Sequence, residues 1–336
     1  MALPTHDWFL PFMRGGENYI ALKIASIFLF ALCVRFISSV KTRKFHPRRR
    51  MDGKTVIVTG ANSGIGKETA KFLAQLGARV IMACRNTDLA KEVQAEIIKE
   101  TKNKNVIVKK VDLSSLKSVR DFAADINRTE ERLDVLLHNA GYGGAFEKRV
   151  SEDGIEMTYA TNHYGPFLLT HLLIDLMKRT GNARVVVVAS SFYKLAKVNL
   201  SNLNPTSTMP AYLYYASKCA NIMFTLELSK RLEGTGVTAN CLHPGLVDTG
   251  IWRNVPFPLS VGLKLVNYCF FKNAWEGCQT SVYCAVSEQL DGVSGNYYEY
   301  NRETKLNKHV TNEKDNALLW DASVKMVKLG KNDPKI

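Results

Sequence analysis

Tyr214 and Lys218 stand four residues apart in the run Ala211-Tyr-Leu-Tyr-Tyr-Ala-Ser-Lys218. On a helix that spacing puts both side chains on one face, so an ammonium can lie beside a phenol. A phenol with an ordinary pKa of about 10 is a poor acid–base group at neutral pH. A fixed cation beside it favours the phenolate and so suits it to exchange a proton with a substrate oxygen. The spacing alone is common, and an aromatic residue beside a solvated lysine reads the same way. The elements around the pair decide between the two.

A second chemical feature is the turn Thr59-Gly-Ala-Asn-Ser-Gly-Ile-Gly66. It follows a β-branched run and opens an amphipathic stretch. A glycine-rich turn at a helix N-terminus lets backbone N–H groups approach a pyrophosphate closely. Its spacing, G-x3-G-x-G, departs from the more familiar G-x-G-x-x-G.

Short strand-like runs alternate with helical patterns from residue 54 onward. Strands are expected at 55–59, 79–83, 105–111, 133–137, 184–189, 237–242 and 296–300. Helices are expected near 65–77, 87–101, 115–128, 155–180, 211–233 and 274–288. Such alternation predicts an α/β fold, a doubly wound parallel sheet of about seven strands with helices on both faces. Val185–Val188 is apolar on both sides of the pleat, as a central strand requires. With no repeat or linker inside 54–300, one catalytic domain over 51–304 is expected, between a leader (1–50) and a polar tail (305–336).

By these features the chain resembles the short-chain dehydrogenase/reductase family over residues 54–300. Gly60, Ser63, Gly64, Ile65 and Gly66 look like its cofactor loop, and Asp112-Leu113 like the element that contacts the adenine. His138-Asn139-Ala140-Gly141 resembles the family's Asn-Asn-Ala-Gly, with His138 a departure that alters strand packing. Asn162 matches the helix asparagine of the catalytic tetrad, although Pro166 after it differs from the commoner residue. In Ala189-Ser190-Ser191 the second serine, Ser191, is taken as the tetrad serine, and Tyr214 with Lys218 completes the set. Pro244, Gly245, Val247 and Thr249 resemble the loop that holds the nicotinamide amide. Singly, Asn162 reads as a helix kink and Ser191 as a turn residue; jointly the four types fall in family order.

The resemblance implies roles. Ser191 donates to the substrate oxygen, Tyr214 exchanges the proton, Lys218 lowers the tyrosine pKa and holds the ribose, and Asn162 positions a water. Asn162-His-Tyr-Gly-Pro-Phe and His243-Pro-Gly-Leu-Val-Asp-Thr resemble the retinol dehydrogenase group, which is membrane-bound and acts on lipophilic alcohols and aldehydes. Tyr193 and Tyr212/Tyr215 are expected to line or flank the substrate pocket, with Val255–Phe271 as an apolar lid or a core helix. The substrate is then a retinoid, a steroid or a fatty aldehyde. At the end of the second strand, Cys84-Arg85 replaces the acid that NAD-selective members carry, and a guanidinium suits a 2′-phosphate. NADP(H), with Lys67 adding positive charge, is the expected cofactor, and carbonyl reduction the expected direction. A catalytically idle cofactor-binding scaffold is the alternative of another class.

The charge needs locating before it is used. Of the net +14, half lies in residues 1–50, where nine Lys/Arg meet only Asp7 and Glu17. The rest of the chain carries no aromatic-studded basic stretch, which argues against a nucleic-acid partner. The apolar run 19–40, interrupted by Lys23 and Arg35 and followed by basic residues 41–50, reads as a membrane anchor. An interfacial helix and a removed leader are the competing readings. The anchor implies membrane lipid as a partner and a cytosolic domain on the endoplasmic reticulum, a lipid droplet or a mitochondrion. A homodimer is also expected. Seven dispersed cysteines without CxxC spacing imply reduced thiols and no metal site.

Overall fold

The structure, a computed structural model, describes residues 26, 44–143, 148–247 and 271–336. Strands β1 (Thr55–Thr59), β2 (Arg79–Cys84), β3 (Val106–Lys110), β4 (Val135–His138), β5 (Ala183–Val188), β6 (Val237–His243), β7 (Tyr297–Glu299) and β8 (Arg302–Glu303) form one sheet. Its order is β3-β2-β1-β4-β5-β6-β7-β8, parallel throughout except for β7 against β8. The helices are α1 (Gly64–Gln75), α2 (Thr87–Thr101), α3 (Leu116–Thr129), α4 (Gly165–Thr180), α5 (Pro210–Arg231), α6 (Ala274–Val286) and α7 (Glu313–Met326). A π-helical turn, Ala160–Tyr164, leads into α4, and a 3₁₀ turn, Ser191–Leu195, follows β5.

The pleat sorts the strand residues into two cores. Ile57, Ile81, Leu136, Val185 and Val187 face α3, α4 and α5. Their neighbours Val58, Met82, Leu137, Val186 and Val188 face α1 and α6. Strands buried on both sides are what a parallel sheet under two helical layers demands. Local signals start the helices where they are needed. The Asn86 side chain accepts from the N–H groups of Asp88 and Leu89 at the start of α2. Asn273 and Glu276 form a reciprocal capping box on α6. Pro210 occupies the first turn of α5, where its missing N–H costs nothing.

Three features depart from the sequence-based reading. First, α7 extends the fold into what composition marks as a polar tail, 305–336. Trp320 of α7 is buried against Phe167 and Phe224, with Arg231 over its ring. Second, residues 44–51 are applied to the domain: Phe45 packs edge-on against Tyr283, and Arg49 pairs with Asp291. Part of the basic cluster is therefore spent on internal ion pairs. Third, the anchor expectation is corrected. Among the described residues no helix is long and apolar enough to cross a membrane. The run 19–40 that carried the expectation lies outside them, save Ser26. Among the described residues the fold is the doubly wound sheet, no membrane-crossing helix stands beside it, and the membrane assignment and the organelles inferred from it are not carried further. The five described cysteines (84, 219, 241, 278 and 284) are free and buried.

Candidate active site

β1 and β4 lie side by side while their crossovers run to opposite sides, which makes the crevice beyond their carboxyl ends the place for a ligand. A cleft of about 550 Å³ opens there.

One end is built by the glycine turn. Gly60 (φ +67°) and Gly64 (φ +55°) adopt the left-handed region that side chains disfavour. A Cβ on Gly66 would lie 2.3 Å from the Gly60 carbonyl oxygen, so only glycine lets α1 start so close to the turn. The Asn139 amide braces the turn, donating to the Thr59 carbonyl at 2.9 Å. The Thr59 hydroxyl accepts from the Asn139 and Ala140 N–H groups at 3.0 Å. At the α1 N-terminus the Ser63 side chain makes no capping bond and no acid occupies the first turn. The helix end thus presents its N–H groups and positive pole to the cleft, which fits a pyrophosphate.

Arg85, at the end of β2, is 68% exposed and lies 3.8 Å from Asp112, loosely enough to reach for an anion. Asp112 accepts from the N–H and hydroxyl of Ser114, so its carboxylate shapes the loop beside Leu113. Lys67 does not add free positive charge. Its ammonium bonds Glu96 at 2.7 Å. Ala140, Gly141, Pro244, Gly245 and Val247 line the cleft, whereas Thr249 and the expected lid 255–271, save Phe271, lie outside the described residues.

The other end gathers the polar groups. Tyr214 and Lys218 both lie on α5 and both face the cleft. Lys218 is buried, donates to the Val188 carbonyl at 2.9 Å, and sits 5.6 Å from the Tyr214 ring centroid. Burial pulls its pKa down to about 8. Burial, with Tyr215 adding to it, pushes the Tyr214 phenol up. The expected lowering of the phenol by Lys218 is therefore absent from the protein alone. The ammonium is directed to a carbonyl and to the ring face, and desolvation outweighs its field.

Two sequence assignments change. Ser190, not Ser191, lines the cleft next to Tyr214 and Lys218. Its Oγ accepts from the Phe192 N–H at 3.2 Å, leaving its O–H to donate into the cleft. Ser191 begins the 3₁₀ turn and is not among the residues that line the cleft, and β5 ends at Val188, one residue short of the expected 189. Tyr193 does not reach the substrate side. It is fully buried against Tyr297 and His309, and its hydroxyl accepts from the Asn307 N–H at 3.2 Å. Phe192 lines the cleft instead, its ring 5.2 Å from that of Tyr215.

Asn162 is buried within the π-helical turn. Its Oδ1 accepts from the Tyr142 N–H at 2.7 Å, and its Nδ2 donates to the Tyr142 carbonyl and the Ser217 hydroxyl. The amide thus ties the loop after β4 to α5, between Tyr214 and Lys218. His138 bonds Thr170 and burial holds it near 3, so it is a neutral packing residue.

A glycine turn at a helix end, an exposed guanidinium on the rim and a Ser–Tyr–Lys group in one crevice define a nucleotide-dependent α/β oxidoreductase. Residues 54–257 match the short chain dehydrogenase family. The chain belongs to that family and is an enzyme of it. It is 44% identical over 291 residues to mouse retinol dehydrogenase 14, covering 82% of this chain and 86% of the relative. Bovine retinol dehydrogenase 12 is 41% identical, with 82% and 86% covered. Among solved structures, an uncharacterised protein of Mycobacterium paratuberculosis superposes with a TM-score of 0.67 at 30% identity, covering 83% of this chain and 95% of that one. A Beutenbergia cavernae structure with bound NADP superposes with a TM-score of 0.61 at 25% identity, covering 75% and 96%.

Proposed function

We propose that the chain is an NADP(H)-dependent oxidoreductase that reduces a lipophilic aldehyde or ketone, retinal first among them, through Ser190, Tyr214 and Lys218. The observation that carries this reading is the convergence of those three side chains on the crevice that the glycine turn also opens. NADP(H) is the cofactor. The exposed Arg85 guanidinium, with Cys84 in place of an acid, suits a 2′-phosphate, and NADP in the Beutenbergia cavernae relative supports it.

When bound, the reduced nicotinamide supplies the hydride that the carbonyl carbon accepts with its electron pair. The protein handles the oxygen. The Ser190 O–H donates to it and stabilises alkoxide character as the carbonyl is reduced. Tyr214 gives that oxygen its proton, and a phenol that burial keeps protonated is suited to this direction. Lys218 contributes a buried positive charge that favours the tyrosinate left behind, and it would hold the nicotinamide ribose. Asn162 is a positioning residue, its amide spent on Tyr142 and Ser217.

Phe192, Leu246 and Phe271 supply an apolar wall, and the names of the relatives support a retinoid. Steroid and fatty-aldehyde carbonyls suit the same wall. The experiment is NADPH consumption with all-trans-retinal, a steroid ketone and a fatty aldehyde, with Tyr214→Phe as control. The expected result is turnover of a lipophilic carbonyl that Tyr214→Phe cuts about a thousandfold. Binding of NADPH without reduction of any of the three would favour a cofactor-binding scaffold and defeat the proposal.

A further inference from the structure

Lys272 is a second buried lysine, set behind the Gly245 wall of this cleft. It lies just before α6 and is 3% exposed. Its N–H donates to the Leu246 carbonyl at 2.7 Å, tying its backbone to the loop that follows β6. Its side chain runs beneath Gly245, where a Cβ would meet its Cδ at 2.9 Å and its Nζ at 3.2 Å. Gly245 holds φ +96°, a conformation that leaves room for this passage. The ammonium ends 4.1 Å from the centroid of the Tyr300 ring, a cation–π contact with a residue itself in the left-handed region. Gly245, Pro244 and His243 form the cleft wall directly above it.

We propose that Lys272 is a specificity-determining charge: held under the Pro244–Val247 wall, its ammonium weakens binding of oxidised, cationic nicotinamide relative to the reduced, neutral ring. This inference rests on the NADP(H) reading above. Its geometry is that of a charge fixed against the wall which the resemblance assigns to the nicotinamide end. Like charges in a partly desolvated site repel far more than in water. The field reaches the cleft: Lys272 is, after burial itself, the largest influence lowering the His243 pKa, with Lys194 and Lys218 adding to it. Burial lowers the pKa of Lys272 to about 8, and the Glu276 carboxylate on α6 works against that. The side chain is therefore mostly charged at neutral pH. The groups that act on or with it are Glu276, the only acid among those influences, the Tyr300 ring and His243, on which Lys194 and Lys218 also act. A bias against the oxidised cofactor favours its release after carbonyl reduction.

The test is the ratio of dissociation constants for NADP⁺ and NADPH, measured by calorimetry on the purified full chain without substrate. Lys272→Met should lower that ratio about fivefold, and Lys272→Arg should keep it. Glu276→Gln retains the capping box, since glutamine serves there as well as glutamate, and should raise the ratio. A role in packing alone would weaken both cofactors equally. An unchanged ratio in both Lys272→Met and Glu276→Gln overturns the inference and leaves the NADP(H) reading intact. A wild-type chain that binds neither cofactor defeats both.

Discussion

The two ends of the sheet treat buried charge in opposite ways. At the amino end, charges come in bonded sets. Asp134 accepts from the Thr55 N–H at 2.9 Å and from Arg132 at 2.8 Å, and pairs with Lys54 at 3.1 Å. Glu130 takes two bonds from Arg79, and Arg184 donates to the Ser287 carbonyl and to Asp291. At the carboxyl end, Lys218 has a carbonyl and Lys272 an aromatic face, and neither is in an ion pair among the described residues. Burial depresses both ammonium groups to about 8. Burial works against the Asp134 carboxylate as well, yet Arg132, the Thr55 N–H and Lys54 hold it below its ordinary range. One end spends its charges on stability; the other leaves them outside ion pairs at a stability cost, beside a crevice that a ligand can enter.

The comparison sharpens first on the serines. Ser190→Ala should lower kcat about a hundredfold with thermal stability unchanged. Ser191→Ala should leave kcat within about twofold, since Ser191 is not among the residues that line the cleft. Steady-state kinetics on the two variants check this, and the reverse ranking would return the role to Ser191. Next in size is Arg85→Asp. It should raise KM for NADPH about tenfold and barely alter that for NADH. Equal effects on the two cofactors would remove Arg85 from the 2′-phosphate.

The amino end should answer in stability alone. Asp134→Asn should cost about 2–3 kcal/mol in denaturant unfolding at neutral pH, with kcat retained. The folded pKa of Asp134 lies below its ordinary 3.8. Its contribution is thus complete above that value and is lost as pH falls through the folded pKa. The gap between wild type and Asp134→Asn should therefore close below pH 3.8. A gap that persists there would mean that packing, not charge, holds this corner.

The paired and unpaired ends were not equally legible in the chain. The sheet was, because runs such as Val185–Val188 are apolar on both sides of the pleat and the glycine turn punctuates the first crossover. Tyr214 and Lys218 were legible from type and spacing on a helix, where four residues make one face, whereas Asn162 came only from the family resemblance. The serine was not, because a strand exit shifted by one residue swaps which neighbour faces the crevice. Tyr193 was misplaced for a related reason: three residues beyond the 3₁₀ turn's cap, it points into the core. Lys272 carries no local signal at all, since its partners Gly245 and Tyr300 are distant in sequence. Helix α7 was missed because only Asn316, Leu319, Trp320 and Ser323 bury within an otherwise polar stretch. The apolar run 19–40 was read for a membrane, and no described helix is of that kind.

The most direct measurement on the central contrast is kcat and thermal stability together for Lys218→Met. The account predicts that kcat falls about a thousandfold while stability at neutral pH holds, since relief from burying an ammonium offsets the lost bond to Val188. For a lysine with a lowered folded pKa, that relief is full below about 8 and fades as pH climbs toward 10.5. A variant that loses stability at neutral pH yet keeps its turnover would contradict the account, placing Lys218 with the structural charges of the amino end.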